Sequence, residues 1–322
     1  MGTTTFSAHP GSAHPSERPL PVRMNLHIFT AHRIFTRFSL ASAKRKCHNS
    51  DMKNYLAVCI LAVAGAIGNV WSASERVSIP GPKGKLAAVV QRPDGVAPDA
   101  KVPVVILCHG FGADRGGMFR PIADRLNARG VAAIRFDFDG HGESEGAFSD
   151  MTVPSEIADA CAVYAYAARQ PWAGKISILG HSQGGVVASM TAGQLGAEKI
   201  DKVVLLAPAC ILREDALRGN TMGAGYDPVN PPDKIKIWGG RELGGNFVRT
   251  ARTLPIYETA TRFTGPVCLI HGTDDRIAPY TASETFKREY KQAELHLLEN
   301  DDHGLSKHFG EVLKLVGDFL AP

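Results

Sequence analysis

The sequence predicts an α/β fold: a mostly parallel central sheet, helices on both faces, and a segment inserted over one end. Three observations point there. From Glu75 onward, short apolar runs of strand length alternate with helix-length amphipathic runs. One of the apolar runs, Ile176-Ser177-Ile178-Leu179, passes into Gly180-His181-Ser182-Gln183-Gly184-Gly185 and then a helical stretch. The alternation breaks once, between Pro208 and Thr264, and then resumes.

Taken in order, residues 1–51 show no periodic apolar pattern and are rich in His, Ser, Pro and Arg, so they are expected to be disordered or to lie upstream of the true start. Residues 52–74 read as a signal peptide. Lys53 gives a positive end, Leu56 to Ala64 an apolar centre, and Ser72-Ala73-Ser74 a small-residue cleavage region. Gly65, Gly68 and Asn69 cut the strongly apolar part below the ~20 residues that a membrane span needs. Export, periplasmic or secreted, from a start near Met52 is therefore expected, with no stable membrane association after cleavage.

Residues 75–322 carry the domain. Glu75 to Ile79 and Lys85 to Arg92 are a strand pair around Pro-Gly-Pro-Lys-Gly, and Val102 to Cys108 is a buried strand ending at His109-Gly110-Phe111-Gly112. A helix is expected over Phe119 to Ala128, a strand over Val131 to Phe136, and a Gly- and acid-rich loop after it. The helix from Val153 to Arg169 is expected to turn Ile157, Cys161, Tyr164 and Ala168 inward. After the serine strand and its helix comes a strand from Lys202 to Leu206. The interval of about 208–264, with its Gly-Gly pairs and Asp-Pro-rich run, is expected to form a lid, strand-like at Ile235 to Trp238 and helical from Phe247 to Leu254. Val267 to His271, a helix over Ala282 to Tyr290, Glu294 to Leu298 and a last helix over Lys307 to Leu320 complete the pattern.

The totals exclude several classes. At 44% hydrophobic and 21% charged the 322-residue chain is ordinary for a globular protein, and a net charge of +4, partly from the N-terminal region, marks no nucleic-acid surface. Six scattered cysteines without a C-x-x-C argue against a zinc site or a disulfide framework. Cys108 and Cys268 are expected to be buried free thiols. The chemistry expected here uses no cofactor and no metal.

That chemistry starts from G-x-S-x-G, in which glycines let the chain turn sharply and hold a serine hydroxyl clear of the sheet, ahead of a helix N-terminus. The pattern occurs twice. Gly142-Glu143-Ser144-Glu145-Gly146 also matches, but two carboxylates flank its serine and a loop follows, so Ser182 is the candidate nucleophile and Ser144 a loop residue. A serine hydroxyl needs a base held in turn by a carboxylate. His303, after the last strand, is the candidate base; His109, His141, His181 and His271 sit in turns or beside glycine and are expected to serve in structural hydrogen bonds. The acid is Asp274 or Asp275, which the residues themselves do not separate, while Asp301 and Asp302 adjoin the base too closely. Two N–H donors must face the oxyanion: the backbone of Gln183, just after the nucleophile, and that of Phe111.

These segments carry a resemblance. HGFGADRG at His109, FDFDGHGESEGAFSDMTV at Phe136, LGHSQGG at Leu179, LAPACILREDALRGNT at Leu206, LPIYETA at Leu254, PVCLIHGTDDRIAP at Pro266 and DDHG at Asp301 together resemble the α/β-hydrolase superfamily. Within it the likeness is to bacterial feruloyl (cinnamoyl) esterases with an inserted lid, and it spans about Glu75 to Pro322. It implies Asp275 as the acid, His303 as the base, Phe111 and Gln183 as oxyanion donors, and a small-molecule or oligosaccharide ester as substrate. It also implies lid contacts to the substrate ring. The position of a lid aspartate falls on Asp215, that of a lid tyrosine on Phe247 and that of a lid glutamine on Met222, so a ring is expected to pack the substrate while two polar handles are replaced. A short-acyl carboxylesterase, a prolyl-oligopeptidase-like peptidase and a non-catalytic binding protein are the competing readings. The last would normally lack a triad residue, and all three candidates are present.

Overall fold

The structure, a computed structural model, describes residues 74–321. The leader and the segment before it therefore lie, but for Ser74, outside the described residues. In chain order the elements are β1 (Ser74–Pro80), β2 (Lys85–Gln91), β3 (Val102–Cys108), α1 (Phe119–Asn127), β4 (Ala132–Phe136), α2 (Val153–Ala168), β5 (Ala173–His181) and α3 (Gln183–Leu195). β6 (Val203–Leu206) is followed by the inserted elements α4 (Leu212–Arg218), β7 (Asn220–Thr221), β8 (Ala224–Gly225), β9 (Lys234–Lys236), β10 (Glu242–Gly244) and α5 (Gly245–Ala251). Then come α6 (Ile256–Ala260), β11 (Val267–Gly272), α7 (Thr281–Glu289), β12 (Ala293–Leu298) and α8 (Phe309–Leu320).

Eight strands form one sheet in the order β1-β2-β4-β3-β5-β6-β11-β12. The pairs β1/β2 and β2/β4 are antiparallel and the remaining pairs parallel. Because helices cover both faces, the central strands bury both sets of side chains and read as unbroken apolar runs. Along β3, Val104, Ile106 and Cys108 join the apolar cluster under α2 and α3, while Val105 and Leu107 join the one under α1 and α8. β3, β5, β11 and β12 all point the same way, so the loops after them emerge at one end of the sheet.

Two expectations need correction. In α2 the buried apolar residues are Val153, Ile157, Ala160, Val163 and Ala167, whereas Cys161 and Tyr164 are half-buried and Ala168 is exposed. The spacing marks a stripe beside the buried one; the helix turns two of its alanines, Ala160 and Ala167, inward with Val153, Ile157 and Val163, and Glu156 and Asp159 are buried on polar partners described below. The interval assigned to the lid also runs too long. α6 lies against α3, so closely that a Cβ on Gly193 would sit 2.0 Å from the Thr259 carbonyl oxygen. It therefore belongs to the main layer. The inserted strands form two short antiparallel pairs, β7 with β8 and β9 with β10.

Candidate active site

The elbow is a backbone problem before it is a chemical one. Ser182 has φ 56° and ψ −123°, a region that costs a non-glycine residue about 1–3 kcal/mol and persists only where its surroundings over-determine it. They do so here. The Ser182 N–H donates to Leu206 O at 2.9 Å, and its carbonyl accepts the N–H of Gly185 at 2.9 Å and of Ala209 at 3.0 Å. The flanking glycines are required by contact, since a Cβ on Gly180 would lie 2.0 Å from Gly184 O and one on Gly184 2.1 Å from Cys108 O.

Loops from three other strands meet the serine. Its Oγ–H donates to His303 Nε2 at 2.8 Å, and the Nδ1–H of His303 donates to Asp275 Oδ2 at 2.6 Å. Of the two aspartates, it is Asp275 whose carboxylate meets His303. Asp274 turns its carboxylate out toward Arg276 at 3.6 Å, and its N–H is held by Asp301 O. Burial alone would raise the Asp275 pKa, but hydrogen bonds from His271 and His303, the charge of His303 and the Ala278 N–H outweigh it and hold the carboxylate well below its ordinary range. An ionised carboxylate so placed can orient an imidazole and stabilise an imidazolium.

Three other histidines near the site make hydrogen bonds within the fold. His181 donates from Nε2 to the carbonyl of His303 at 2.8 Å, which fixes the backbone of the base; burial, then the neighbouring His303, lowers its pKa to about 4. His109 donates from Nδ1 to Gly110 O and accepts the Phe138 N–H on Nε2; burial lowers its pKa to about 3, so it is neutral. His271 does more than the sequence suggested. Its Nε2–H is shared between Asp275 Oδ2 at 3.0 Å and Ala278 O at 2.9 Å, while Ser283 donates to its Nδ1. Asp301, fully buried, gathers the N–H groups of Asp302, Lys307 and His308 and does not meet His303. Ser144 bonds Asp137 O and the Ala87 N–H, which ties its loop to β2 as a loop residue should.

The two expected oxyanion donors flank the nucleophile. Gln183 opens α3, where a helix leaves its first N–H groups without an internal acceptor. Phe111 follows Gly110, whose Cβ position would lie 3.1 Å from the Ser182 side chain, so this loop and the serine are in contact. The Phe111 ring is fixed edge-on against Phe148 and Phe247, with centroids 5.4 and 5.7 Å away.

Beside the triad acid lies a cavity of about 320 Å³. Its walls include Ala209, Leu212, Met222, Trp238 and Ile277, with Asp215, Asn220 and Arg276 as polar members. The Asp215 carboxylate is held by Arg218, and Asp215 and Met222 both line this cavity. Phe247 does not. It is 1% exposed, buried in the core under Phe111, and lines no part of this cavity. Its expected contact with substrate is corrected to a packing role, because the ring is buried edge-on against Phe111. Trp238, Arg276 and Ile277 are cavity residues that the sequence reading does not include; Arg276 and Ile277, the two residues after Asp275, have positions that could have suggested them. A larger cavity of about 720 Å³, lined by Arg76, Arg115, Arg120, Arg135 and four carboxyl or amide side chains, shares no residue with the triad.

Comparison with known proteins places this arrangement. A family profile described as serine aminopeptidase, S33, matches residues 99–225. The solved structure of Est1E from Butyrivibrio proteoclasticus with ferulic acid bound is similar at 33% identity and a TM-score of 0.72, covering 76% of this chain and 97% of that one. Among curated proteins, the lysophosphatidylserine lipase ABHD12 of Danio rerio is 26% identical over 181 residues, 55% of this chain, and the chain spans 44% of that protein's length. The caffeoylshikimate esterase of Arabidopsis thaliana is 25% identical over 236 residues, 62% of this chain and 70% of that protein.

Proposed function

The chain belongs to the α/β-hydrolase superfamily and is a serine esterase of it; from that premise we propose that it cleaves hydroxycinnamate esters through an acyl-enzyme on Ser182. The observation that carries the mechanism is the unbroken relay from Ser182 Oγ through His303 to Asp275, at 2.8 and 2.6 Å. His303 Nε2 takes the Ser182 proton as Oγ attacks the ester carbonyl, and the N–H groups of Phe111 and Gln183 receive the oxyanion. The imidazolium then gives the proton to the departing alkoxide. Water, deprotonated by the same His303, releases the acid and restores the serine.

The hydroxycinnamoyl part rests on two supports. Est1E binds ferulic acid and spans nearly its whole length on this chain, and the caffeoylshikimate esterase is named for a related ester. The cavity beside Asp275 offers a mostly apolar slot with Asp215 inside it, which suits a ring bearing a hydroxyl. The enzyme is further proposed to be exported through a leader beginning near Met52 and to act on a small-molecule or oligosaccharide ester, with no nucleic acid and no membrane anchor after cleavage. Among the described residues no helix is long and apolar enough to cross a membrane. N-terminal sequencing of the mature protein tests the export.

The test of activity is a panel: methyl cinnamate, p-coumarate and ferulate, nitrophenyl acetate, and aminoacyl arylamides, beside labelling by a fluorophosphonate. Labelling at Ser182 with the highest kcat/KM on the hydroxycinnamates is the expected result. Labelling with no such preference reduces the reading to a short-acyl carboxylesterase, and turnover of the arylamides alone replaces it with a peptidase.

A further inference from the structure

An oxyanion donor is useful only while its N–H stays aimed at one point, and Gln183 is tied by its side chain as well as its backbone. That side chain is fully buried. Its Nε2 donates to Glu156 Oε2 at 2.7 Å and lies 3.4 Å from Met151 Sδ, while Oε1 has no partner. Glu156 is itself 2% exposed and stands in the first turn of α2. Thr152 caps that turn, exchanging hydrogen bonds with Ser155 in a capping box, so the backbone that presents Glu156 is anchored at its start. The bond thus links a fixed turn of α2 to the first residue of α3, immediately after the strained Ser182.

We propose that Glu156 is a positioning residue for the esterase reaction: through the Gln183 side chain it holds the first peptide of α3, and so the N–H that receives the oxyanion. The inference rests on the esterase reading given above and deepens it. Glu156 does this as a neutral carboxyl. Burial first, and then the charge of Asp159 one turn-face away, push its pKa well above the usual carboxylate range, against the opposing pull of the Gln183 bond. The groups that bear on it are Asp159 on its own helix, the Cys108 thiol on β3, and the uncharged Gln183 and Met151. None of these is a cation that could steady an ionised form. When Glu156 loses its proton, a negative charge appears behind the very peptide that must stabilise another, so turnover falls on the alkaline side.

The experiment follows kcat and KM across pH for the wild type, Glu156→Ala and Glu156→Gln, on nitrophenyl acetate, with binding of a trifluoromethyl ketone as an oxyanion-bearing transition-state analogue. Glu156→Ala is expected to lose about ten- to hundredfold in kcat, less than the cost of removing a donor outright, with KM little changed. Its affinity for the ketone should fall by the same factor. Glu156→Gln, which keeps a neutral hydrogen-bonding group, should recover most of kcat and lose the alkaline fall that the wild type shows. Infrared difference spectra between wild type and Glu156→Gln should show a protonated carboxyl at neutral pH. Wild-type turnover combined with unchanged kcat and ketone binding in Glu156→Ala overturns the inference alone. Should Glu156→Ala not fold, an alkaline limb in Glu156→Gln identical to that of the wild type overturns it as well. A wild type that neither turns over the ester nor labels at Ser182 overturns the esterase reading, and this inference with it.

Discussion

The elbow and the inserted segment are held in different ways. At the elbow the N–H and carbonyl of Ser182 and both flanking glycines are committed to contacts with β6, α3 and β3. The insertion is made of strand pairs two or three residues long and helices of seven, and it leaves Trp238 60% and Val229 69% exposed. One side of it is nevertheless part of the core, through Leu212, Ala216, Ile235, Ile237, Val248 and Ala251. Leu243 and Phe247 sink into the core, and Arg241 reaches Gly112 O at 2.9 Å while its guanidinium lies 3.9 Å over the Phe148 ring. Strain can be stored where every atom is held, so the attacking group sits in the rigid part. The exposed Trp238 lines the cavity from the insertion, and such side chains can change without disturbing the serine, so that is where substrate choice can vary.

The sharpest way to break this contrast is at the nucleophile. Ser182→Ala should lower kcat by about 10⁴-fold or more. Ser144→Ala, in the other G-x-S-x-G, should keep its kcat and instead lose about 1 kcal/mol of stability or somewhat more, because two hydrogen bonds go with the hydroxyl, one from the Ala87 N–H of β2 and one to Asp137 O just after β4. Steady-state kinetics beside urea melts separate the two outcomes. Equal kinetic losses in both would remove the elbow from its assigned role.

One step smaller is the acid. Asp275→Asn should cost about 10⁴-fold in kcat, since the amide cannot hold the His303 tautomer. Asp274→Asn, whose carboxylate faces Arg276 and solvent, should stay within about threefold of the wild type on the same scale. The reverse ranking, measured on nitrophenyl acetate, would mean that His303 takes its partner from the other aspartate in solution.

The elbow was legible in the sequence because its requirement is local: glycine where a Cβ would strike a carbonyl, serine between, strand before and helix after. The sheet was legible for the same kind of reason, as β3, β5, β6 and β11 are apolar runs bounded by turns. What could not be read depends on distance in space. Asp274 and Asp275 differ only in which way a strand end turns, and His271 shares Asp275 Oδ2 with His303 through a contact that no spacing announces. The face of α2 was misjudged because burial there follows polar partners, Gln183 for Glu156 and the Asp139 N–H for Asp159, as much as apolar size.

Phe247 is the residue on which the two regions were confused, and it gives the next test. As a buried member of the core it should respond as core. Phe247→Ala should cost about 3–5 kcal/mol of stability. Phe247→Tyr should lose about 1–3 kcal/mol by burying a hydroxyl among apolar neighbours, with no change in the ratio of kcat/KM between methyl p-coumarate and methyl cinnamate. Melting curves and that ratio, taken on one preparation, decide the matter. A tyrosine that leaves stability intact and raises the ratio would return the side chain to the cavity.

The smallest effect belongs to the cavity wall itself. Asp215 is the acidic side chain of the cavity and Arg218, three residues on, holds its Oδ1. A phenolic hydroxyl entering the cavity can donate to the other carboxylate oxygen, so the ion pair orients the acceptor without using it up. Asp215→Ala should therefore flatten the preference for methyl p-coumarate over methyl cinnamate by up to about tenfold, the equivalent of ~1.4 kcal/mol and of one ordinary hydrogen bond. Because α4 lies outside the elbow, kcat on nitrophenyl acetate should hardly move. Asp215→Asn keeps an acceptor oxygen and should retain part of the preference. Arg218→Ala frees the carboxylate to rotate, and should weaken the preference by less than the loss of Asp215 does. If the p-coumarate to cinnamate ratio is the same in all four proteins, the para-hydroxyl is not read by this wall, and the cavity selects by shape alone.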